Sequence, residues 1–213
     1  MSAYGVDVAA TRADDLDKKV LAAVAARVAR GQQPTVLDAG CGSGGLTARL
    51  AVAGADVTAV DVADYATTIA NLPMASGGVT FTQADVREFV RNTQQQFDFA
   101  VLQRVLHYVP YLQAKELLTQ LATKTNTTLF VSVTGTLSDI GKMYPATHQP
   151  LPERWATLPP EAQKTFSIFE PICLYTAEEL SQLLRECGWE LDELWTSAFG
   201  NHKAVARPAN KPD

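Results

Sequence analysis

The stretch Thr35–Gly45, T-V-L-D-A-G-C-G-S-G-G, constrains this chain more than any other part of it. The apolar pair Val36 and Leu37 runs into an acid, Asp38. Glycines follow at 40, 42, 44 and 45, and an amphipathic pattern opens at Leu46. That order reads as a buried strand, a tight turn and a helix N-terminus. Glycine lacks a Cβ, so it reaches positive φ without a clash and lets another molecule approach the backbone. The helix start beyond it presents amide N–H groups that no helical carbonyl satisfies. Such a turn suits a cofactor that carries a nucleoside.

Two kinds of cofactor compete for it. Gly40, Gly42 and Gly45 satisfy G-x-G-x-x-G, and Asp61 follows Gly42 by 61−42=19 residues, near the spacing of a ribose-binding acid in dinucleotide sites. Asp38 points the other way. A pyrophosphate would be repelled by a fixed carboxylate two residues before the first glycine, whereas a cofactor with ammonium and sulfonium groups would not. D-A-G-C-G-S-G resembles motif I of the class I S-adenosylmethionine-dependent methyltransferases, an acid-x-Gly-x-Gly-x-Gly pattern. The resemblance implies S-adenosyl-L-methionine as cofactor and S-adenosyl-L-homocysteine as its product. An NAD(P)-dependent oxidoreductase built on the same turn, and a non-catalytic S-adenosylmethionine-binding protein, stand as the alternatives.

At 213 residues the chain is long enough for one well-buried domain plus an insertion. Its 46% hydrophobic and 19% charged residues are ordinary for a globular protein. The net charge is −5 with Lys and Arg scattered, so the basic footprint of a nucleic-acid enzyme is missing. No apolar run is long enough to span a bilayer, and the opening M-S-A-Y-G-V-D lacks a charged-then-apolar leader pattern. A cytoplasmic protein with no membrane partner is expected. Cys41, Cys173 and Cys187 show no C-x-x-C spacing, which indicates neither a disulfide framework nor a metal site. Cys187 falls on an apolar helical stripe and reads as core.

Strands and amphipathic helices alternate along the chain. Asp14 to Arg30 reads as a helix with Leu16, Val20, Val24 and Val28 on one face and Gly31 as terminator. Strands are expected at 36–38, 57–61, 79–83, 97–103 and 128–133. Helices are expected at 46–53, from Ala63 to Asn71 with a stop at Leu72-Pro73, just after Val86, and from Pro110 onward. Residues 134–173 break this rhythm with prolines at 145, 150, 152, 159, 160 and 171. A long irregular segment in a compact domain is usually a binding segment or lid. T-A-E-E from Thr176 is a capping box opening a helix, and 189–196 and 202–207 read as two strands joined by a turn.

The alternation implies parallel βαβ units, an α/β doubly wound sheet with helices on both faces. The resemblance adds a mostly parallel, seven-stranded, Rossmann-like sheet with an antiparallel C-terminal strand. One domain, 1–213, then divides into an N-terminal helical segment (1–31), a cofactor-binding core (34–133), an insertion over the acceptor site (134–173) and a closing helix and hairpin (174–207). Ligands of such sheets bind beyond the carboxyl ends of the strands, where Asp38, Asp61, Asp85 and Gln103 all fall.

The resemblance implies a role for each of these residues. Gly40, Cys41, Gly42 and Gly44 line the methionyl and ribose portion of the cofactor, with Cys41 merely packing. Asp38 holds the ammonium or anchors the loop. Asp61 accepts hydrogen bonds from the ribose hydroxyls, and Val62 packs on the adenine. The Asp85 carboxylate takes the adenine amino group and the Val86 amide meets a ring nitrogen, though Asp85 also reads as a helix N-cap. Gln103 and Arg104 sit where this family makes backbone contacts to the cofactor.

Methyl transfer mainly needs alignment, exclusion of water and removal of a proton where the acceptor has one. His107 is the expected base, because a neutral imidazole titrates in the right range. Tyr108 is expected to orient the acceptor. Tyr144, His148, Trp155, Phe166 and Tyr175 are candidates to wall the acceptor pocket, each set against a packing role, and Tyr4 is a candidate to close over the cofactor. Neither N-P-P-Y nor D-P-P-Y follows the fourth strand, and the acid cluster of the magnesium-dependent catechol enzymes is missing. No metal is therefore expected, and the partner is a small-molecule acceptor rather than nucleic acid. The pattern leaves monomer and homodimer open.

Overall fold

The computed structural model describes Tyr4, residues 13–72 and residues 77–209. Most of the opening heptapeptide, and the helix stop at Pro73, lie outside the described residues. A seven-stranded sheet forms the centre: β1 Thr35–Ala39, β2 Asp56–Asp61, β3 Val79–Gln83, β4 Phe97–Gln103, β5 Thr125–Thr134, β6 Trp189–Thr196 and β7 Asn201–Pro208. Its spatial order is β3-β2-β1-β4-β5-β7-β6. Strands β1 to β5 pair in parallel. Only β7 runs against its neighbours β5 and β6, so the expected antiparallel C-terminal strand is present.

Alternating side chains on the strands feed two cores. Val36, Phe99, Val101 and Phe130 pack with Leu16, Val20 and Val24 of α1 (Asp15–Val28) and with Leu46 and Leu50 of α2 (Gly45–Val52). Leu37, Ala100, Leu102, Leu129 and Val131 face the opposite side. There they meet α4 (Val86–Asn92), α5 (Tyr111–Lys124) and α8 (Ala177–Glu186). One residue of offset thus sends each strand's apolar side chains to two helix layers, which is what a doubly wound sheet requires.

Local capping follows the sequence closely. Asp14 caps α1 and Thr176 caps α8, each in a reciprocal capping box. Two boundaries differ from expectation. The helix after β2, α3, spans only Ala66–Ala70, because the Asp61 and Asp64 carboxylates take the Ala63 and Ala66 amides and hold 62–65 as a turn. β5 starts at Thr125, straight off the end of α5.

The insertion is more regular than its prolines suggest. It contains α6 (Asp139–Lys142), a 3₁₀ turn at Leu151–Glu153 and α7 (Pro160–Phe166). Tyr144, Ala146, Leu158, Ala162, Ile168, Ile172 and Leu174 build a small apolar core of its own. Among the described residues, no helix is long and apolar enough to cross a membrane.

Candidate active site

A cleft of about 510 Å³ opens beyond the carboxyl ends of β1, β2 and β4. The glycine turn forms its floor. Gly40, Gly42 and Gly44 have φ of 73°, 54° and 85°, a left-handed region that other residues enter only with strain. The Gly40 and Cys41 amides both donate to the Val60 carbonyl, which pins the loop to β2. A Cβ on Gly40 would run into the Val105 side chain, so glycine is required there for space as well. Gly40, Cys41 and Gly42 line the cleft. Gly44 departs from its expected lining role. It caps α2, and a Cβ there would meet Leu72 Cδ1 at 2.7 Å, on the packed side of the loop.

Three carboxylates at strand ends reach the cleft, each held differently. Asp38 is buried and its Oδ2 accepts the Thr47 hydroxyl at 2.6 Å, which ties β1 to α2. Asp61 accepts the Gly42 amide on Oδ2 and the Ala63 amide on Oδ1, both at 2.9 Å. Asp85 caps α4 by accepting the Arg87 amide at 2.8 Å, and the Arg87 guanidinium grips both its oxygens. That side-chain pairing is the main reason its carboxyl stays below the usual carboxylate range. Asp85 is thus a helix cap and half of an ion pair, while Val62 and Val86 line the cleft beside it.

Opposite these acids lies the segment after β4. Gln103 ends the strand and Arg104 follows it, with φ of 57° and its amide shared between the carbonyl and hydroxyl of Ser132, both at 3.0 Å. His107 and Tyr108 follow on a 3₁₀ turn and line the cleft, their rings 4.3 Å apart. The expectation that His107 titrates near neutral pH is overturned. The ring is 2% exposed, and burial, reinforced by the Arg104 charge, lowers its pKa from 6.5 to about 3. His107 is therefore a neutral imidazole across the physiological range, and its Nδ1 has no hydrogen-bond partner. Burial likewise pushes the Tyr108 phenol well up, so its hydroxyl keeps its proton.

Tyr4 closes this side, its ring 5.1 Å from Tyr108 and its backbone bridged to Ile168 of the insertion. Of the five aromatic candidates in and after the insertion, only Phe166 lines the cleft. Tyr144 is buried in the insertion's core with its hydroxyl on the Ile172 carbonyl, Tyr175 is fully buried in the main core, and His148 and Trp155 sit outside. The wall also holds Ile140, Ile168, Phe199 and Asn201, which carry no motif that would single them out. One Tyr-x-x-x-Lys spacing, Tyr111 to Lys115, would serve the oxidoreductase alternative. Neither residue lines the cleft, and Lys115 pairs with Glu186 at 2.7 Å. Among the described residues no acid, His and Cys cluster could hold a metal.

The donor set fits S-adenosylmethionine. A glycine floor that tolerates no Cβ at Gly40, a strand-end carboxylate with acceptor capacity left at Asp61, and apolar Val62 and Val86 share one cleft. Comparison with known proteins agrees. The ubiquinone biosynthesis O-methyltransferase of Aromatoleum aromaticum is 36% identical over 77 residues, 35% of this chain and 33% of that protein. The match spans about a third of that relative's length. Two solved structures share the fold. One is 1,6-didemethyltoxoflavin-N1-methyltransferase of Burkholderia thailandensis, with bound 1,6-didemethyltoxoflavin and S-adenosylhomocysteine (TM-score 0.64, 21% identity, 92% of this chain and 79% of that one). The other is magnesium protoporphyrin IX methyltransferase of Synechocystis PCC 6803 with bound SAM (TM-score 0.58, 20% identity, 96% and 86%). A methyltransferase domain model matches residues 9–194, nearly the whole chain, and the protein belongs to that family.

Proposed function

We propose that the protein transfers a methyl group from S-adenosylmethionine to a small-molecule nucleophile. One observation carries the reading: the positive-φ glycine loop and the strand-end acids Asp38 and Asp61 share a single cleft with His107 and Tyr108. When bound, S-adenosylmethionine supplies an electrophilic methyl group on a cationic sulfur. Asp61 keeps lone pairs beyond those used by Gly42 and Ala63, and these accept ribose hydroxyls. Asp38 sets a negative charge under the loop, where a cationic ligand gains from it in a water-poor setting. Val86, and Val62 at the rim, offer apolar contact to a base.

The acceptor half is built from His107, Tyr108 and the insertion. His107 accepts a hydrogen bond as a neutral ring, and Tyr108 donates one. They position a nucleophile more than they pull a proton from it, because the protonated imidazole is strongly disfavoured. Ile140, Phe166 and Ile168 wall this half, and Tyr4 bridges to the insertion beside it. Covering the acceptor there excludes water and strengthens the field acting on it. A cytoplasmic setting agrees with three buried cysteines that form no disulfide.

Calorimetric titration of the protein with S-adenosylhomocysteine and, separately, with NADH tests the reading. Micromolar binding of S-adenosylhomocysteine with none of NADH is expected. Binding of NADH alone overturns it in favour of an oxidoreductase.

A further inference from the structure

The hairpin between β6 and β7 brings a polar side chain to the cleft that the turn itself does not use. Asn201 opens β7 and stands directly opposite Thr134, the last residue of β5, and both line the cleft. Directly opposed residues of an antiparallel pair share one face of the sheet. The next pair, Val133 and His202, faces the other way, with Val133 in the core that α8 covers. Strand order fixes which end of the cleft Asn201 occupies. Asp38, Asp61 and Asp85 sit at or just after the ends of β1, β2 and β3, on one side of β4. β5 and β7 lie on its other side. Asn201 is therefore separated from the cofactor's acids by the segment after β4 that carries His107 and Tyr108.

The turn holds Asn201 through its backbone. Its amide donates to Ser197 Oγ at 3.2 Å, and its carbonyl accepts the Ser197 amide at 2.8 Å. A Cβ on the preceding Gly200 would meet Ser138 Cα at 2.7 Å, so the turn is seated against the start of the insertion. The carboxamide takes no part in these contacts, and among the described residues it makes no hydrogen bond. A carboxamide presents N–H donors and an acceptor oxygen side by side in one plane. That matches a ring edge on which an acceptor and a donor are adjacent, the way a side-chain amide reads adenine. The surroundings offer no ion a counter-charge. Tyr108 keeps its proton, His107 is neutral, Asp139 is tied to Lys142 at 2.6 Å, and Arg104 has a partner of its own. An unpaired ion leaving water there costs far more than a neutral ring does. Ile140, Phe166 and Ile168 give such a ring apolar faces.

We propose that Asn201 is a specificity-determining residue of the acceptor site, and that it selects an uncharged aromatic ring whose edge carries an N–H beside a C=O, a cyclic amide. The proposal deepens the methyl-transfer reading and rests on this end of the cleft being the acceptor site.

The test titrates S-adenosylhomocysteine-saturated protein with 2-quinolone, with 2-methoxyquinoline, which has the same rings but no N–H or C=O, and with the anion quinoline-2-carboxylate. Wild type is expected to bind 2-quinolone about tenfold more tightly than 2-methoxyquinoline, the scale of one or two net hydrogen bonds, and more tightly than the anion. Asn201→Leu, close in shape but without polar atoms, is expected to erase the preference for 2-quinolone. It should leave the affinities for 2-methoxyquinoline and for S-adenosylhomocysteine within about threefold. Should that variant fail to fold, Asn201→Ser, whose hydroxyl is too short to span both groups, is expected to lose the preference in the same comparison. Equal affinity for 2-quinolone and 2-methoxyquinoline in wild type, no detectable binding of either, or tighter binding of the anion overturns the proposal. So does a preference that survives in the variant. If wild type binds no S-adenosylhomocysteine, the methyltransferase reading fails by itself, and the same probes on the free protein still decide whether Asn201 reads the ring edge.

Discussion

The Asp61 carboxylate and the Gly42 amide meet at 2.9 Å across 19 residues of chain, so the acid that ends β2 is also the strut of the glycine loop. Its other oxygen holds the Ala63 amide and shapes the turn after the strand. A residue read from sequence as a ligand contact therefore carries part of the loop's own stability.

Asp61→Ala should show both functions separately. Without ligand, the variant should lose about 1–2 kcal/mol in urea denaturation, the net value of hydrogen bonds to a charged acceptor in a half-exposed setting. Its affinity for S-adenosylhomocysteine, measured by calorimetry, should fall at least about tenfold. A folded variant with an unchanged dissociation constant would remove Asp61 from the binding site and leave it only as the strut.

His107 predicts an acid-side loss of stability. Its pKa is 6.5 in an unfolded chain and about 3 when folded. Between those values the unfolded chain takes up a proton that the native protein refuses. Stability from this group is complete above pH 6.5 and declines on acidification, by at most about 1.4 kcal/mol per pH unit. His202 is shifted down by burial too and adds in the same direction. His107→Gln should flatten the slope between about pH 7.5 and about pH 5, a window above the carboxylate range, with His202 supplying what remains. Urea melts at the two pH values measure it, and an unaltered slope in the variant would contradict a buried neutral ring.

Arg154 should control how firmly the insertion is held. Its guanidinium takes both oxygens of Glu179 on α8, at 2.7 and 3.0 Å, and also the Leu174 and Gln149 carbonyls at 3.0 and 2.9 Å. Arg154 is buried, and Glu179 is partly exposed. Arg154→Ala removes these hydrogen bonds, leaving Glu179 the Thr176 amide of its capping box, and should cost about 2–3 kcal/mol, less than a fully buried pair would. Limited proteolysis should then cut earlier within 134–173, while S-adenosylhomocysteine affinity stays within a few-fold because the glycine loop is untouched. A loss smaller than about 0.5 kcal/mol with unchanged proteolysis would show that the ion pair does not hold the insertion.

The sequence alone determined the sheet, the glycine turn and the position of each strand-end acid. Those features are local. Apolar runs that stop at Asp38, Asp61 and Gln103, glycines where φ must be positive, and a Thr176–Glu179 capping box are written in neighbouring residues. β3 and β4 accordingly have the boundaries their apolar runs gave. Gly44 shows where that legibility stops, since spacing places it with Gly40 and Gly42 but the side of the loop it faces depends on Leu72 and Ile69 packing against it.

Only the tertiary structure decided the far wall of the cleft and the ionisation within it. Phe199 and Asn201 reach the site because β7 lies antiparallel beside β5, which brings the hairpin turn to Gly135, whose amide donates to the Gly200 carbonyl at 3.0 Å. The aromatics of the insertion look alike in sequence, and burial sorted them: Tyr144 and Tyr175 went into cores, Phe166 into the wall. The sequence identified a histidine after β4, but the charge state of His107 follows from desolvation and from Arg104 beside it. Desolvation is set by everything that packs around a group, and the fold brings distant residues there: the Cys173 amide donates to the His107 carbonyl at 2.8 Å.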